Sequence, residues 1–386
     1  MESYSEETLR RVRQNDATLT QLVICYSGED GGFSSDDGDY SQLGAAIAQN
    51  THLTELQVEL HNDGEIVHED FYEGLKRNTS IHMLTFSCGY ATVVGGIGDE
   101  ILNAYQENNR HLTHLHIQNA DLQNGGDQAI TTTLIRCTNL KQITLWDCGI
   151  TNEQVVPIVE AIEGHNSLEE LHLKVNRIGN AGCVAIATLL EDPNCNLHTL
   201  DVSISAIGNE GASILAISLT NNTKLQQLSL ISNAIDVSVR DVFSRILCDT
   251  SSIDSTYSSN HTLEEVTLSQ RRGEQLRSLL ELNQGTNKSH VAIKKILNYH
   301  PNINMEPFFE WNMEGEDERN LKALPYVIAW FERAGEAVAD EEGRESYNIE
   351  RRKLDTIYQF TKAMPLLFVP ASHIKESNNK RKRGDN

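Results

Sequence analysis

One phrase recurs nine times and limits the possible folds more than any other feature of the chain. Read as L-x-x-L-x-L with aliphatic or aromatic substitutes, it starts at Leu19, Leu53, Ile81, Leu112, Leu140, Leu168, Leu197, Leu225 and Leu263. The steps between starts are 34, 28, 31, 28, 28, 29, 28 and 38 residues. Apolar residues at positions four and six alternate with polar ones, as a strand with one buried face requires, and the rest of each step is long enough for a helix. A near-constant step of this kind predicts a solenoid of strand-helix coils, in which each coil packs only against its neighbours.

The unit LEELHLKVNRIGNAGCVAIATLLEDPNCN shows how one coil works. Leu171 and Leu173 point inward and alternate with Glu170, His172 and Lys174. Asn176 follows three residues after Leu173, where its amide can satisfy backbone groups turned inward as the chain leaves the strand. Ile178 closes the interior, and Ala185, Ile186, Leu189 and Leu190 form one face of the helix after Gly179 and Gly182. The next unit repeats this with Ile207, Gly208, Gly211, Ile214, Leu215 and Leu219. Asparagines three residues before many repeat starts (Asn50, Asn78, Asn109, Asn194, Asn222, Asn260) are expected to adopt the left-handed conformation that ends a helix.

These residues resemble the ribonuclease-inhibitor-like class of leucine-rich repeats, which also includes sensor regions of NOD-like receptors and Ran GTPase-activating proteins. The resemblance runs from about Leu19 to Leu268 and is closest in the units at Leu140, Leu168 and Leu197. It implies an α/β fold: a right-handed, horseshoe-like solenoid of about nine strand-helix units with a parallel concave sheet and a C-terminal helical cap. The inner asparagine or cysteine position is matched at Cys148, Asn176 and Asn233, with Cys148 expected as a buried member. Ser27, His61, Gly89, Ala120, Ser205 and Arg271 stand there elsewhere, so the ladder should be discontinuous. The whole arrangement also resembles leucine-rich-repeat proteins of diatoms and related algae.

Of the 386 residues, 32 are Lys or Arg and 55 Asp or Glu, a formal charge of −23. A body this acidic repels phosphate backbones and anionic membranes, so neither nucleic acid nor membrane is an expected partner. The start of the chain lacks an apolar run, and no stretch reaches the 18 or so apolar residues a membrane span needs. Seven cysteines, an odd number without C-x-x-C, fit a reducing intracellular compartment. Lys380, Arg381, Lys382 and Arg383 read either as a nuclear-import tag or as a solvated tail, leaving cytoplasm and nucleus both open.

The irregular steps locate insertions. Residues 28–39 hold five acids and no base, and read as a solvated acidic loop or, less simply, a calcium site. Residues 248–260 form a polar Ser/Thr insertion, expected as a mobile loop. After the repeats the composition changes: 11 of the 23 aromatics lie between Tyr299 and Phe368. The expected division is a solenoid over 1–273, a helical aromatic-rich unit over 274–375 with Phe308, Phe309, Trp311, Trp330 and Phe331 as capping residues, and a disordered basic tail over 376–386.

P-loop, G-x-S-x-G, H-E-x-x-H and paired C-x-x-C patterns are absent, so no enzyme, cofactor or metal is expected, and a surface remains. Positions three, five and seven of each unit face away from the core and stack into three columns, with equivalent residues of adjacent strands about 4.8 Å apart. These 27 positions hold five acids, one lysine, three histidines and one tryptophan. A large aromatic among polar neighbours is the usual composition of an interface anchor, which singles out Trp146. With it the expected protein-binding residues are Glu55, Glu59, His114, His116, Glu170, His172, Lys174 and Asp201. His116 and His172 lie two strands apart, about 9.6 Å, too far for a shared zinc. The expected function is a non-enzymatic scaffold or regulator that binds a protein or peptide on the concave face. The alternative is a GTPase activator similar to Ran GTPase-activating proteins. The partner and the oligomeric state are not legible.

Overall fold

The computed structural model describes residues 6–26, 38–60, 69–88, 111–120, 126–269 and 273–300, together with Leu102. Within them nine strands form one parallel sheet in chain order: β1 (Gln21–Tyr26), β2 (Glu55–Leu60), β3 (Met83–Cys88), β4 (His114–Gln118), β5 (Gln142–Trp146), β6 (Glu170–His172), β7 (Thr199–Asp201), β8 (Gln227–Ser229) and β9 (Glu265–Thr267). Every strand begins at position three of a repeat, so the sequence period and the strand register coincide. Helices α1 (Glu6–Arg13), α2 (Gly38–Gln49), α3 (Glu69–Arg77), α4 (Gly126–Arg136), α5 (Asn152–Ile162), α6 (Gly179–Glu191), α7 (Asn209–Ser218), α8 (Val239–Leu247) and α10 (Glu274–Asn283) belong to the same compact unit. This arrangement is a leucine-rich-repeat solenoid.

The core is what the alternation predicts. Leu115, Ile143, Leu171, Leu200 and Val266 at position four are completely buried, as are Leu145, Leu173 and Val202 at position six. The helices meet them with Val155, Ile158, Ile186, Leu215 and Phe243. Helices α2 and α3 approach to backbone contact, because a Cβ on Gly74 would stand 2.2 Å from the carbonyl oxygen of Gly44. No side chain fits between them at that point.

Two ladders of buried amides hold successive coils together. In the inner one, Asn176 Oδ1 accepts from the N–H groups of Cys148 and Ile150 in the preceding coil at 3.1 and 3.0 Å, while its Nδ2 donates to Leu145 and Leu173 at 2.8 Å each. Asn233 repeats the pattern one coil later but one, accepting from Ser205 and Ile207 and donating to Val202 and Leu230. Between them the Ser205 side chain supplies a single hydroxyl that donates to Leu173 and Ser203, and one coil before Asn176 the Cys148 thiol donates to Ile117 and Trp146, so the ladder weakens at these coils without breaking.

The asparagines before the repeat starts behave differently from the expectation. Asn50, Asn78, Asn222 and Asn260 are not left-handed. They are buried, and their side chains form a second ladder. Asn78 Oδ1 accepts from Ser80 and Ile81 in its own coil, and its Nδ2 reaches back to Ile47 and Asn50 at 2.7 and 2.9 Å. Asn260 does the same with Thr262, Leu263, Leu219 and Asn222. An amide that caps its own turn and also bonds the previous coil satisfies four otherwise orphaned backbone groups, which a left-handed backbone alone does not. Asn194, in contrast, is exposed and bonds only Asp192, and Asn109 lies outside the described residues.

Residues 250–258 and 287–300 fall in a second compact unit. The expected mobile Ser/Thr loop is instead a short helix, α9 (Ile253–Tyr257), whose N-cap Ser252 accepts from Ser255 N–H at 3.0 Å. It stands with α11 (Lys288–Tyr299), and Thr256 and His300 share a hydrogen bond of 2.7 Å. Helix α10, which follows residue 273, stays with the repeat unit, where Asn283 donates to Leu263 and Asn260. The acidic segment over residues 28–37, the capping aromatics from Phe308 to Phe331 and the basic tail lie outside the described residues. No helix among the described residues is long and apolar enough to cross a membrane.

The ladder predicts a graded response to substitution. Asn176→Ala leaves two N–H and two C=O groups without their bonds and should lower stability by about 3 kcal/mol, since each orphaned group costs about 1–3 kcal/mol before relaxation. Asn194→Ala should change it by less than about 0.5 kcal/mol. Urea unfolding with an unchanged m-value measures both, and equal midpoints would remove the ladder from the account.

Candidate protein-binding face

Strand pairing assembles the predicted columns as continuous rows on the sheet face opposite the helices. Row three runs Glu55, Met83, His114, Gln142, Glu170, Thr199, Gln227 and Glu265 in direct register. His116, Thr144, His172, Asp201 and Ser229 are consecutive in row five. Row seven includes Glu59, Ser87, Gln118 and Trp146, and beyond the strands backbone bonds from Asp147 to Lys174, Val175 to Ser203 and Ile204 to Ile231 continue the alignment. Most side chains of these rows are partly exposed; Val23 and Ser203 are the buried departures.

All nine predicted binding residues stand on this face, but they form a stripe and not a pocket. Glu55 and Glu59 on β2 are three strands from Trp146, about 14 Å at the usual spacing. The tight groupings are local. Lys174 Nζ lies 6.0 Å from the centre of the Trp146 ring, a cation-π contact that contributes about 0.5–1 kcal/mol at an exposed site. Glu170 Oε2 and His172 Nε2 are 3.1 Å apart. On β2, Gln57 donates to Glu59 at 2.6 Å. His116 and His172 stand two strands apart with Thr144 between them, and no three His, Cys, Asp or Glu among the described residues converge as a ligand set.

Trp146 is 41 % exposed although it ends a strand. Sequence reasoning missed its companions. Ile231, also in row seven, is 43 % exposed, and Ile204, one residue past that row, is 42 % exposed. Ile204 also has φ +54, in the left-handed region that a β-branched residue adopts at a cost of about 1–2 kcal/mol. The same turn recurs after β4, β5, β6 and β8, at Asn119, Asp147, Val175 and Ser232. Asn119 and Asp147 are residue types that tolerate it, and aligning position eight across units is the signal that would have exposed Val175 and Ile204 as exceptions. A second feature missed was a hydroxyl chain: Ser203 donates to Asp201 at 2.5 Å, meets Ser229 at 2.8 Å, and Thr267 donates to Ser229 at 2.8 Å. It links the β7–β9 part of the face through hydroxyls anchored on the Asp201 carboxylate.

Burial sets the proton equilibria. It lowers the pKa of His114, with the charge of His82 adding to the effect, and that of His116, whose Nε2 is buried without a hydrogen-bond partner among the described residues. Off the face, burial also lowers His165. The thiols move the opposite way: burial pushes Cys137 to about 11 and Cys183 to about 12, which keeps them protonated and inert. Cys148 is completely buried within the inner ladder.

Two outcomes follow from these side chains. Replacing strained, exposed Ile204 by asparagine should raise stability by about 1 kcal/mol, read as a higher Tm; a lower Tm would show that the isoleucine is supported by packing. Histidines with a depressed folded-state pKa contribute stability that is present above their unfolded value of about 6.5 and is lost as pH falls below it. Tm should therefore fall from pH 7 to pH 5, and fall less in His116→Gln; an equal slope in both proteins would remove His116 as a contributor.

A family pattern described as "Leucine Rich repeat" matches residues 108–130, 164–187 and 194–216. "NACHT, LRR and PYD domains-containing protein 14" of Mus musculus is 28% identical over 212 residues, covering 54% of this chain and 20% of that protein. "Ribonuclease inhibitor" of Mus musculus is 32% identical over 136 residues, covering 35% of this chain and 29% of that one. The chain thus spans less than a third of the length of either relative. A solved structure titled "Leiomodin-1 Actin-Binding Site 2 (ABS2)" superimposes with TM-score 0.34 and 16% identity over 45% of this chain and 91% of its own, which adds nothing to the repeat itself. Period, strand register, buried amide ladder and these relatives agree on a leucine-rich-repeat solenoid similar to the ribonuclease-inhibitor-like class.

Proposed function

We propose that this chain is a non-enzymatic scaffold that binds a protein or peptide on the open, concave face of its sheet, with Trp146 as the anchor. The observation that carries the reading is the exposed indole on a face otherwise made of partly exposed polar side chains in strict register. The helices use positions four and six for the core, so positions three, five and seven are available without cost to the fold. Large aromatics in such settings dominate the energetics of protein interfaces. Glu170, His172, Lys174 and Asp201 surround the anchor on the next two strands, with His114 and His116 on the other side and Glu55 and Glu59 at the far end.

The arrangement of hydroxyls favours binding over catalysis. Ser203 is 2 % exposed and already donates to Asp201, while His172 is engaged with Glu170. The nucleophile type and the base type are thus each committed to another neighbour, and the serine is out of reach of a substrate. No observation on this face favours the GTPase-activating alternative.

Capture experiments with the wild-type chain and Trp146→Ala test the proposal. Loss of an anchor of this kind costs about 2 kcal/mol or more, roughly thirtyfold in affinity, so at least one partner should disappear from the variant. An identical set of retained proteins would place the binding surface elsewhere.

A further inference from the structure

We infer that the partner is amphipathic, presenting Lys or Arg side chains to row three of the open face and apolar side chains to its far edge; this rests on the binding role proposed above. The face is polarised along the strand direction. Row three carries Glu55, Glu170 and Glu265, whereas the edge at and just past row seven carries the exposed Trp146, Ile204 and Ile231. Four residues of strand separate rows three and seven, about 13 Å at the rise of an extended chain.

The two edges are chemically incomplete in different ways. Among the described residues Glu55 has no Lys or Arg within ion-pairing distance, and Glu170 meets only His172. Asp201, in row five, is held by Ser203 and likewise lacks a cation. The one lysine of the rows, Lys174, lies over Trp146 and neutralises none of them. At the opposite edge three large apolar side chains are each more than two-fifths exposed, and Ile204 is kept there despite its left-handed backbone. Residue types that would relieve that strain, asparagine and aspartate, occupy the equivalent turn after β4 and β5. Glu55 and Glu170, without a Lys or Arg partner among the described residues, on one edge and exposed Trp146, Ile204 and Ile231 on the other complement a segment with a basic group and an apolar group some four extended residues apart.

Selection of phage-displayed random dodecapeptides on the full chain tests this. Enriched sequences should combine Lys or Arg with Leu, Ile, Phe or Trp about four residues away. For a peptide so selected, the double charge reversal Glu55→Lys with Glu170→Lys should weaken binding at least tenfold and flatten its salt dependence. Ile204→Asn should also weaken it about tenfold while Tm holds or rises, which separates lost binding from lost folding. Selected peptides that lose binding in Trp146→Ala yet carry no basic bias, or ignore the charge reversal, overturn the amphipathic partner and leave the open-face reading standing. Peptides indifferent to all three variants, or no enrichment at all, overturn both.

Discussion

Stacking parallel coils creates a problem that the rest of this structure depends on solving: at the corners of every coil, backbone N–H and C=O groups turn inward where no strand or helix pairs them. Buried asparagine amides solve it at two places in the cross-section. Asn176 and Asn233 bridge the exits of the strands, and Asn50, Asn78, Asn222, Asn260 and Asn283 bridge the approaches. Each amide has two donors and one acceptor oxygen, enough to serve two coils at once. An alanine in the same place would fill part of the space and leave the polar groups orphaned.

Once the corners are held, the strands need only their inward residues for cohesion. Position four is filled by leucine, isoleucine or valine throughout, and the outward positions are released from any packing role. That division explains how one sheet carries a histidine and carboxylate region near β4–β6, a hydroxyl network anchored on Asp201 over β7–β9 and exposed apolar side chains at Trp146, Ile204 and Ile231. The spacing from coil to coil sets these features at strand intervals.

Much of this was legible without coordinates. Nine repeat starts became nine strands, each beginning at position three, because a period-two apolar pattern inside a fixed step admits few other solutions. Asn176 is a ladder member for the reason its spacing suggests, and Cys148 stands in the ladder as the resemblance implies. The asparagines before the strands were misjudged, since a local rule about helix ends cannot register a bond to a residue 28 or more positions earlier, such as Asn78 to Asn50. The Ser/Thr insertion was read as loop because its polar composition hides the short capped helix α9.

The sequence by itself determined the repeat, the strand register, the buried face and the identity of the side chains on the open one. All of these follow from local alternation and period, which act within one coil. Only the tertiary structure decided which outward side chains stay uncovered and what they meet. That Lys174 reaches over Trp146 and that Ser203 is bonded to Ser229 depend on neighbours 28 and 26 residues away in sequence and one strand away in space. Spacing in the chain places residues in rows, but exposure and pairing are properties of the stacked coils together.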